Sequence, residues 1–312
     1  MMNSPTEICL AAYLSLPLAG RWILNRFRAR MDAALFAESR QRIRTWGTIL
    51  LILSAAVFFG KTGMLWFFGI VSFLAFKEYI SIVPTRPTDR RTLFWAYLSI
   101  PIQYLLIAQG HYVLSLIFVP IYVFLFLPIR LILSGDTVHF LRSLSYFHWG
   151  LMTLVFCIAH GTMFFLPTAR DFPLGERIST ILYLITLTQA NDIAQFISGK
   201  LFGGKKILPK ISPGKTWAGF LGGVCFSTLF GALAGPLMTP LSLNLATLSG
   251  LLIGTAGFLG DVTFSAMKRD LKIKDTSMML PGHGGIIDRI DSLTFTTPLF
   301  FHFFNYFWMM RG

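Results

Sequence analysis

Long uninterrupted apolar runs dominate the chain, and a strict alternation of polar and apolar residues is missing. Leu50–Phe59 and Leu251–Gly254 are such runs. A membrane β-barrel needs short alternating segments, so the pattern excludes one. Apolar stretches of membrane-crossing length, or slightly short of it, fall at roughly 7–24, 46–60, 64–83, 93–109, 112–129, 147–167, 178–198, 216–236, 243–263 and 293–310. Arg21 interrupts the first, and only Lys61–Gly63 separates the second from the third. The pattern predicts an all-α, polytopic helical membrane protein with nine or ten transmembrane helices. It is one membrane domain over 1–312, with helices over 1–180 leading into a C-terminal half, 181–312, that holds the polar motifs.

Composition agrees with this reading. Hydrophobic residues make up 54% of the 312 and charged residues 13%, whereas soluble domains carry about 25% charge. Cys9, Cys157 and Cys225 each lie in an apolar run without CxxC spacing, which excludes a disulfide framework or zinc site. Ile8–Leu18 has no basic stretch before it and basic residues after it, as a retained anchor does rather than a cleavable signal.

Charge sets the sidedness. With the N-terminus outside, the inner loops hold 22 of the 27 Lys and Arg residues and the outer loops four, while Lys77 lies near the inner end of a span. This positive-inside bias favours ten spans with both termini outside. It also accounts for the net charge of +13 through an anionic inner leaflet, with no nucleic-acid partner. Asn25–Arg44 is basic, and Phe27, Met31, Leu35 and Phe36 recur at helical spacing. That predicts a helix lying on the inner surface.

Asp192 and five further acids between Asp261 and Asp291 fall at or near the inner face, beside two lysine- and arginine-rich loops. Carboxylates at a bilayer pair, line a wet cavity or bind an ion. Oxygen ligands with no neighbouring Cys point to Mg²⁺ or Mn²⁺ acting on a polyanion. Asp261, Ser265 and Lys268 are spaced i, i+4, i+7 and share a helix face. Gly282, Gly284 and Gly285 around His283 permit close approach of backbone N–H groups to an anion. Asp288 and Asp291, at i and i+3, open the last span. Ser212-Pro-Gly-Lys215-Thr216 fails as a Walker A loop, because Pro209 replaces the first glycine and no preceding strand is visible. It remains a Ser, Lys and Thr at a helix start, a seat for phosphate. The GxxxG pairs Gly219/Gly223, Gly231/Gly235 and Gly250/Gly254 predict close helix packing.

Ser265-Ala-Met-Lys268-Arg269, Lys274-Asp275 and Leu280-Pro-Gly-His283-Gly284-Gly285-Ile-Ile-Asp288-Arg289-Ile-Asp291 closely resemble the hallmark of the CDP-diacylglycerol synthases, the phosphatidate cytidylyltransferases. Asn191-Asp192 through Gly199-Lys200, and Ser212 through Thr216, resemble that family's upstream motifs. The resemblance is specific over about 191–298. It implies transfer of a cytidylyl group from CTP to phosphatidate with Mg²⁺, giving CDP-diacylglycerol and pyrophosphate at the cytoplasmic face of a bacterial inner membrane. By analogy Asp261 and Asp288 ligate the metal, with Asp291 and Asp192 in support and potassium as a second cation. Lys268, Arg269, Lys274 and Arg289 would neutralise phosphates, with Ser265 and Asp275 in the same motif. Lys215, Ser212 and Thr216 would seat a phosphate, Gly284 and Gly285 would approach one, and His283 would donate to an oxyanion. A homodimer suits the family.

Two positions depart from the family pattern: Ala218 and Phe264 stand where glutamate is usual. Gly214 also replaces a frequent lysine. They keep open a CTP-dependent enzyme acting on another lipid phosphate or alcohol, and a silent lipid-binding paralogue. A transporter would show inverted repeats and broken helices at mid-membrane, and neither is visible.

Overall fold

The computed structural model describes residues 4–26, 28, 32–133, 135, 138–167, 172–280, 282 and 284–310. Apolar surroundings leave backbone N–H and C=O groups no solvent partner, so the chain satisfies them within helices. These are α1 (Ser4–Arg26), α2 (Ala33–Phe58), α3 (Gly60–Ile82), α4 (Arg90–Ala108), α5 (Tyr112–Ile117), α6 (Phe124–Ile132), α7 (Phe140–Gly150), α8 (Ile158–Met163), α9 (Leu174–Phe202), α10 (Trp217–Met238), α11 (Leu243–Asp270) and α12 (Ile287–Met310). Wider π turns over Phe118–Val123 and Leu151–Cys157 join α5 to α6 and α7 to α8.

Among the described residues, five stretches are long and apolar enough to cross a membrane by length and composition: Pro5–Arg26, Gly60–Ile82, Tyr112–Ile132, Trp217–Met238 and Leu243–Asp270. The outward face is correspondingly greasy. Trp22, Phe58 and Leu237 are 70%, 74% and 72% exposed, and such apolar surface belongs in lipid. The protein is an all-α integral membrane protein with one small hairpin.

Two local expectations need correction. The basic segment 25–44 is not a separate surface helix. Asn25 and Arg26 finish α1, and α2 runs unbroken from Ala33 through Arg40, Arg42 and Arg44 into the apolar run. Phe27 and Met31 lie outside the described residues. Ala-rich sequence at 33–37 favours helix, and Glu38 pairs with Arg42 one turn on at 2.5 Å. The second correction concerns residues 205–216. Lys206–Leu208 (β1) and Ser212–Thr216 (β2) form an antiparallel hairpin, with Lys206 opposite Thr216 and Leu208 opposite Ser212. Ser212 and Lys215 therefore sit on a strand, which runs directly into the start of α10 at Thr216. A strand does precede this segment, and the Walker reading fails on Pro209 and on Lys215 lying within an antiparallel strand instead of a loop.

Helices α9 to α12 form the layer that carries the polar residues. The glycine pairs let them approach closely, as their spacing predicts. A Cβ on Gly231 would lie 2.6 Å from the Ala246 carbonyl oxygen, and one on Gly250 would lie 3.0 Å from Thr228 Cα. Side-chain hydrogen bonds fix α9 against its neighbours. Asn191 donates to the Gly254 carbonyl (3.3 Å) and accepts from Ser227 (3.0 Å). Tyr183 and Ser249 hydroxyls lie 2.8 Å apart, and Thr188 donates to Thr296 at 3.0 Å. On the other side α3 packs against α4 and α8 and reaches α12. That contact brings the C-terminal end of α3 to the candidate site.

Candidate active site

Three carboxylates on three helices converge: Asp192 (α9), Asp261 (α11) and Asp291 (α12). Asp291 is buried, and its carboxyl feels the charges of Asp261, Asp192 and Lys268. Asp192 feels Lys215, Asp261 and Arg289. The helical stripe read from the sequence is real: Ser265 donates to Asp261 Oδ1 at 3.3 Å, and Lys268 follows one turn later. Lys215 reaches across from β2 to ion-pair with Asp261 and donates to Gln195 Oε1 at 3.1 Å.

Several buried polar atoms in this cluster have no close hydrogen bond. Among the described residues Gln195 Nε2 is shielded from water and unbonded, and Asp192 Oδ1 and Ser292 Oγ are buried beside one another without a close hydrogen bond. A buried unpaired polar atom is costly, and a cluster of them indicates a ligand or ion. Among the described residues, no three Asp, Glu, His or Cys side chains stand close enough to chelate a metal by themselves. Mg²⁺ does not require such a cage, because it takes one or two carboxylates and completes its shell with water and substrate phosphates. The donor set, all oxygen with one carboxylate oxygen lacking a close hydrogen bond, fits it.

Asp288 behaves differently. Its Oδ2 accepts from Thr276 N–H (3.1 Å), Thr276 Oγ1 (3.0 Å) and Gly285 N–H (3.0 Å), and its Oδ1 from Lys268 Nζ (2.7 Å). Burial alone raises its pKa. The Lys268 hydrogen bond and charge, with the Gly285 and Thr276 amides, outweigh burial and hold it below the ordinary carboxylate value. The sequence put Asp288 on a cation; the structure surrounds it with protein donors. The loop needs its glycines for this purpose. Gly284 has φ +79°, and a Cβ there would lie 2.8 Å from Asp288 Oδ2. The Gly285 amide is spent on Asp288, and the Gly284 carbonyl accepts from Leu280 N–H at 2.9 Å.

Other expected residues lie at the edge. Arg269 is exposed and ties the hairpin to the end of α11, donating to the Ile211 carbonyl at 3.2 Å. Lys274 and Asp275 are exposed, and Ser212 and Arg289 are half-buried. His283 lies outside the described residues. Thr216 caps α10 by accepting from Gly219 N–H at 3.0 Å. Thr216→Ala is therefore expected to lower stability by about 1 kcal/mol, read as a lower melting temperature in detergent, with Thr216→Ser restoring it. An unchanged melting temperature would contradict the capping role.

The residue that sequence reasoning missed is Glu78, 3% exposed near the C-terminal end of α3. Its carboxylate accepts from Thr276 and Ser277 hydroxyls and from the Ile286 and Ile287 amides, the last three at 2.9, 2.8 and 3.2 Å. It thereby clamps both ends of the 276–287 loop and caps α12. An acid within the apolar run 64–83 was the available signal.

Comparisons with known proteins bear on this geometry. The family model described as "Cytidylyltransferase family" matches residues 40–307. A protein of Escherichia coli (strain K12) named "Uncharacterized protein YnbB" is 41% identical over 285 residues, 91% of this chain and 93% of the relative. The phosphatidate cytidylyltransferase of Brucella suis biovar 1 is 29% identical over 268 residues, 82% of this chain and 88% of its own. That of Synechocystis sp. is 44% identical over 135 residues, covering 43% of this chain and 45% of the relative.

Proposed function

Since the chain belongs to the cytidylyltransferase family and is a nucleotidyltransferase, we propose that it transfers a cytidylyl group from CTP to phosphatidate, releasing pyrophosphate and forming CDP-diacylglycerol. The observation that carries this reading is the convergence of Asp192, Asp261 and Asp291 with Lys215 and Lys268, around a buried Asp192 oxygen that has no close hydrogen bond among the described residues. Such a site suits a divalent cation and a polyphosphate together. The phosphatidate cytidylyltransferases among its relatives support the acceptor.

In this mechanism a phosphatidate oxygen, already ionised at neutral pH, attacks the α-phosphorus of CTP. A P–O bond forms there, and the bond to the β-phosphate bridging oxygen breaks. Pyrophosphate leaves with that electron pair. No strong base is needed, so catalysis consists of alignment and charge neutralisation. One or two of Asp261, Asp291 and Asp192 would hold Mg²⁺, with water and phosphate oxygens completing its shell. Bound there, the ion supplies positive charge to the triphosphate. Lys215 and Lys268 face the same carboxylates and neutralise phosphate oxygens. Asp288 holds Lys268 and the glycine loop in place. Arg289, beside Asp192, adds positive charge at the mouth of the cluster. We read the chain as crossing the membrane ten times with both termini outside and the site at the cytoplasmic face, as the 22 basic residues of the alternate loops support.

A second acceptor is favoured by one observation. Phe264, where the family usually carries glutamate, is buried with its ring centroid 5.1 Å from that of Trp149. An apolar contact replaces a carboxylate near the site, so another membrane lipid phosphate remains the alternative acceptor. The test is pyrophosphate release by the protein in detergent with CTP and a panel of lipid phosphates. Phosphatidate is expected to give the highest rate, EDTA to stop release and added Mg²⁺ to restore it. A higher rate with another lipid phosphate would transfer the assignment to that acceptor, and no lipid-dependent release with any acceptor would overturn it.

A further inference from the structure

A groove of about 430 Å³ runs along the outside of α4 and the 118–129 segment, far in sequence from the carboxylate cluster. Trp95, Leu98 and Ile102 line it from one face of α4, spaced i, i+3, i+7, and Tyr122, Phe126 and Ile129 face them. Trp95 and Phe126 close one end edge-to-face, with ring centroids 5.2 Å apart. At that end the chain enters α4 and leaves α6, so both helices reach the same side of the membrane there.

Two cations stand at this end. The Arg130 guanidinium lies over the Trp95 ring, 5.8 Å from its centroid. Its Nε is buried and has no hydrogen-bond partner among the described residues. Arg91 precedes Trp95 by one helical turn and is exposed. Asp89, which precedes α4, is already taken by Arg86 (2.9 Å) and Ser143 (3.1 Å). An apolar trough ending in two arginines, one with a donor unpaired among the described residues, matches an amphiphile with an anionic head.

We propose that this groove binds an anionic glycerophospholipid, with its phosphate on Arg130 and Arg91 and an acyl chain between Trp95 and Ile102. The site is distinct from the reacting one. A phosphodiester lipid such as phosphatidylglycerol has no phosphomonoester to accept a nucleotide, so its binding reads the groove and not the proposed reaction.

Native mass spectrometry of the detergent-solubilised chain, with phosphatidylglycerol against phosphatidylcholine of identical acyl chains, tests the proposal. The wild type is expected to retain phosphatidylglycerol preferentially. Arg130→Gln should lower that preference about fivefold, Arg130→Lys should restore part of it, and Arg91→Gln should lower it less. Leu98→Trp, which fills the trough, should reduce both lipids. Wild-type preference in folded Arg130→Gln and Arg91→Gln would overturn the proposal. So would Leu98→Trp that leaves both lipids bound but dissociates a dimer, because a second copy would then occupy the groove.

Discussion

Asp261→Asn is expected to lower the turnover number at least about 100-fold, the scale on which removing one preorganised charge-stabilising group acts. The substitution keeps the shape of the side chain and a hydrogen-bond acceptor for Ser265. It removes the charge that pairs with Lys215 and the carboxylate that faces Asp192 and Asp291. The expected loss is in turnover more than in CTP affinity, because the charge matters most as pyrophosphate departs. Lys274→Ala is the contrast. Lys274 is exposed and outside the cluster, and its loss should change turnover by less than about threefold. Steady-state rates of the two variants at saturating CTP check this. Equal losses would remove the distinction between the buried cluster and the basic surface around it.

Glu78→Ala is expected to lower stability by about 3 kcal/mol and to abolish turnover. The substitution strands two backbone amides and the Ser277 hydroxyl that Glu78 now satisfies, while Thr276 Oγ1 keeps Asp288 as an acceptor, and each buried unsatisfied group costs about 1–3 kcal/mol. The loop they hold carries Thr276 and Gly285, which in turn hold Asp288 and through it Lys268. Glu78→Gln keeps one acceptor oxygen but turns an amide toward donors, so it should fall between wild type and alanine. Melting temperature and turnover of both variants test the chain of contacts. A Glu78→Ala protein that melts and turns over like wild type would break it.

Local spacing made part of this site legible in the sequence. Asp261, Ser265 and Lys268 lie within two helical turns, so their shared face followed from helix geometry alone. The glycine pairs of α10 and α11 were legible for the same reason. Glu78 was not, because its partners lie about 200 positions away and nothing local to α3 points to them. Asp288 looked like a ligand by its spacing from Asp291, but Thr276 and Gly285 fold back onto it through a loop whose path no periodicity describes. The start of α2 was hidden by its arginines. Hydropathy cut the helix where charge rose, although Ala33–Ala37 and the Glu38–Arg42 pair favour helix regardless of polarity. The helix start after Thr216 was legible, but the hairpin at 206–216 leading into it was not, because a short strand in a lysine-rich loop carries no alternating pattern.

The most direct test of cytidylyl transfer to a lipid phosphate is to follow radiolabel from CTP into the lipid fraction, with the label at the α-phosphate in one arm and at the γ-phosphate in the other. Transfer as described here moves α-label into a lipid that also carries cytidine, leaves γ-label in pyrophosphate, and fails in Asp261→Asn. γ-Label in the lipid would mean phosphoryl transfer to an alcohol, and would contradict the account at its centre.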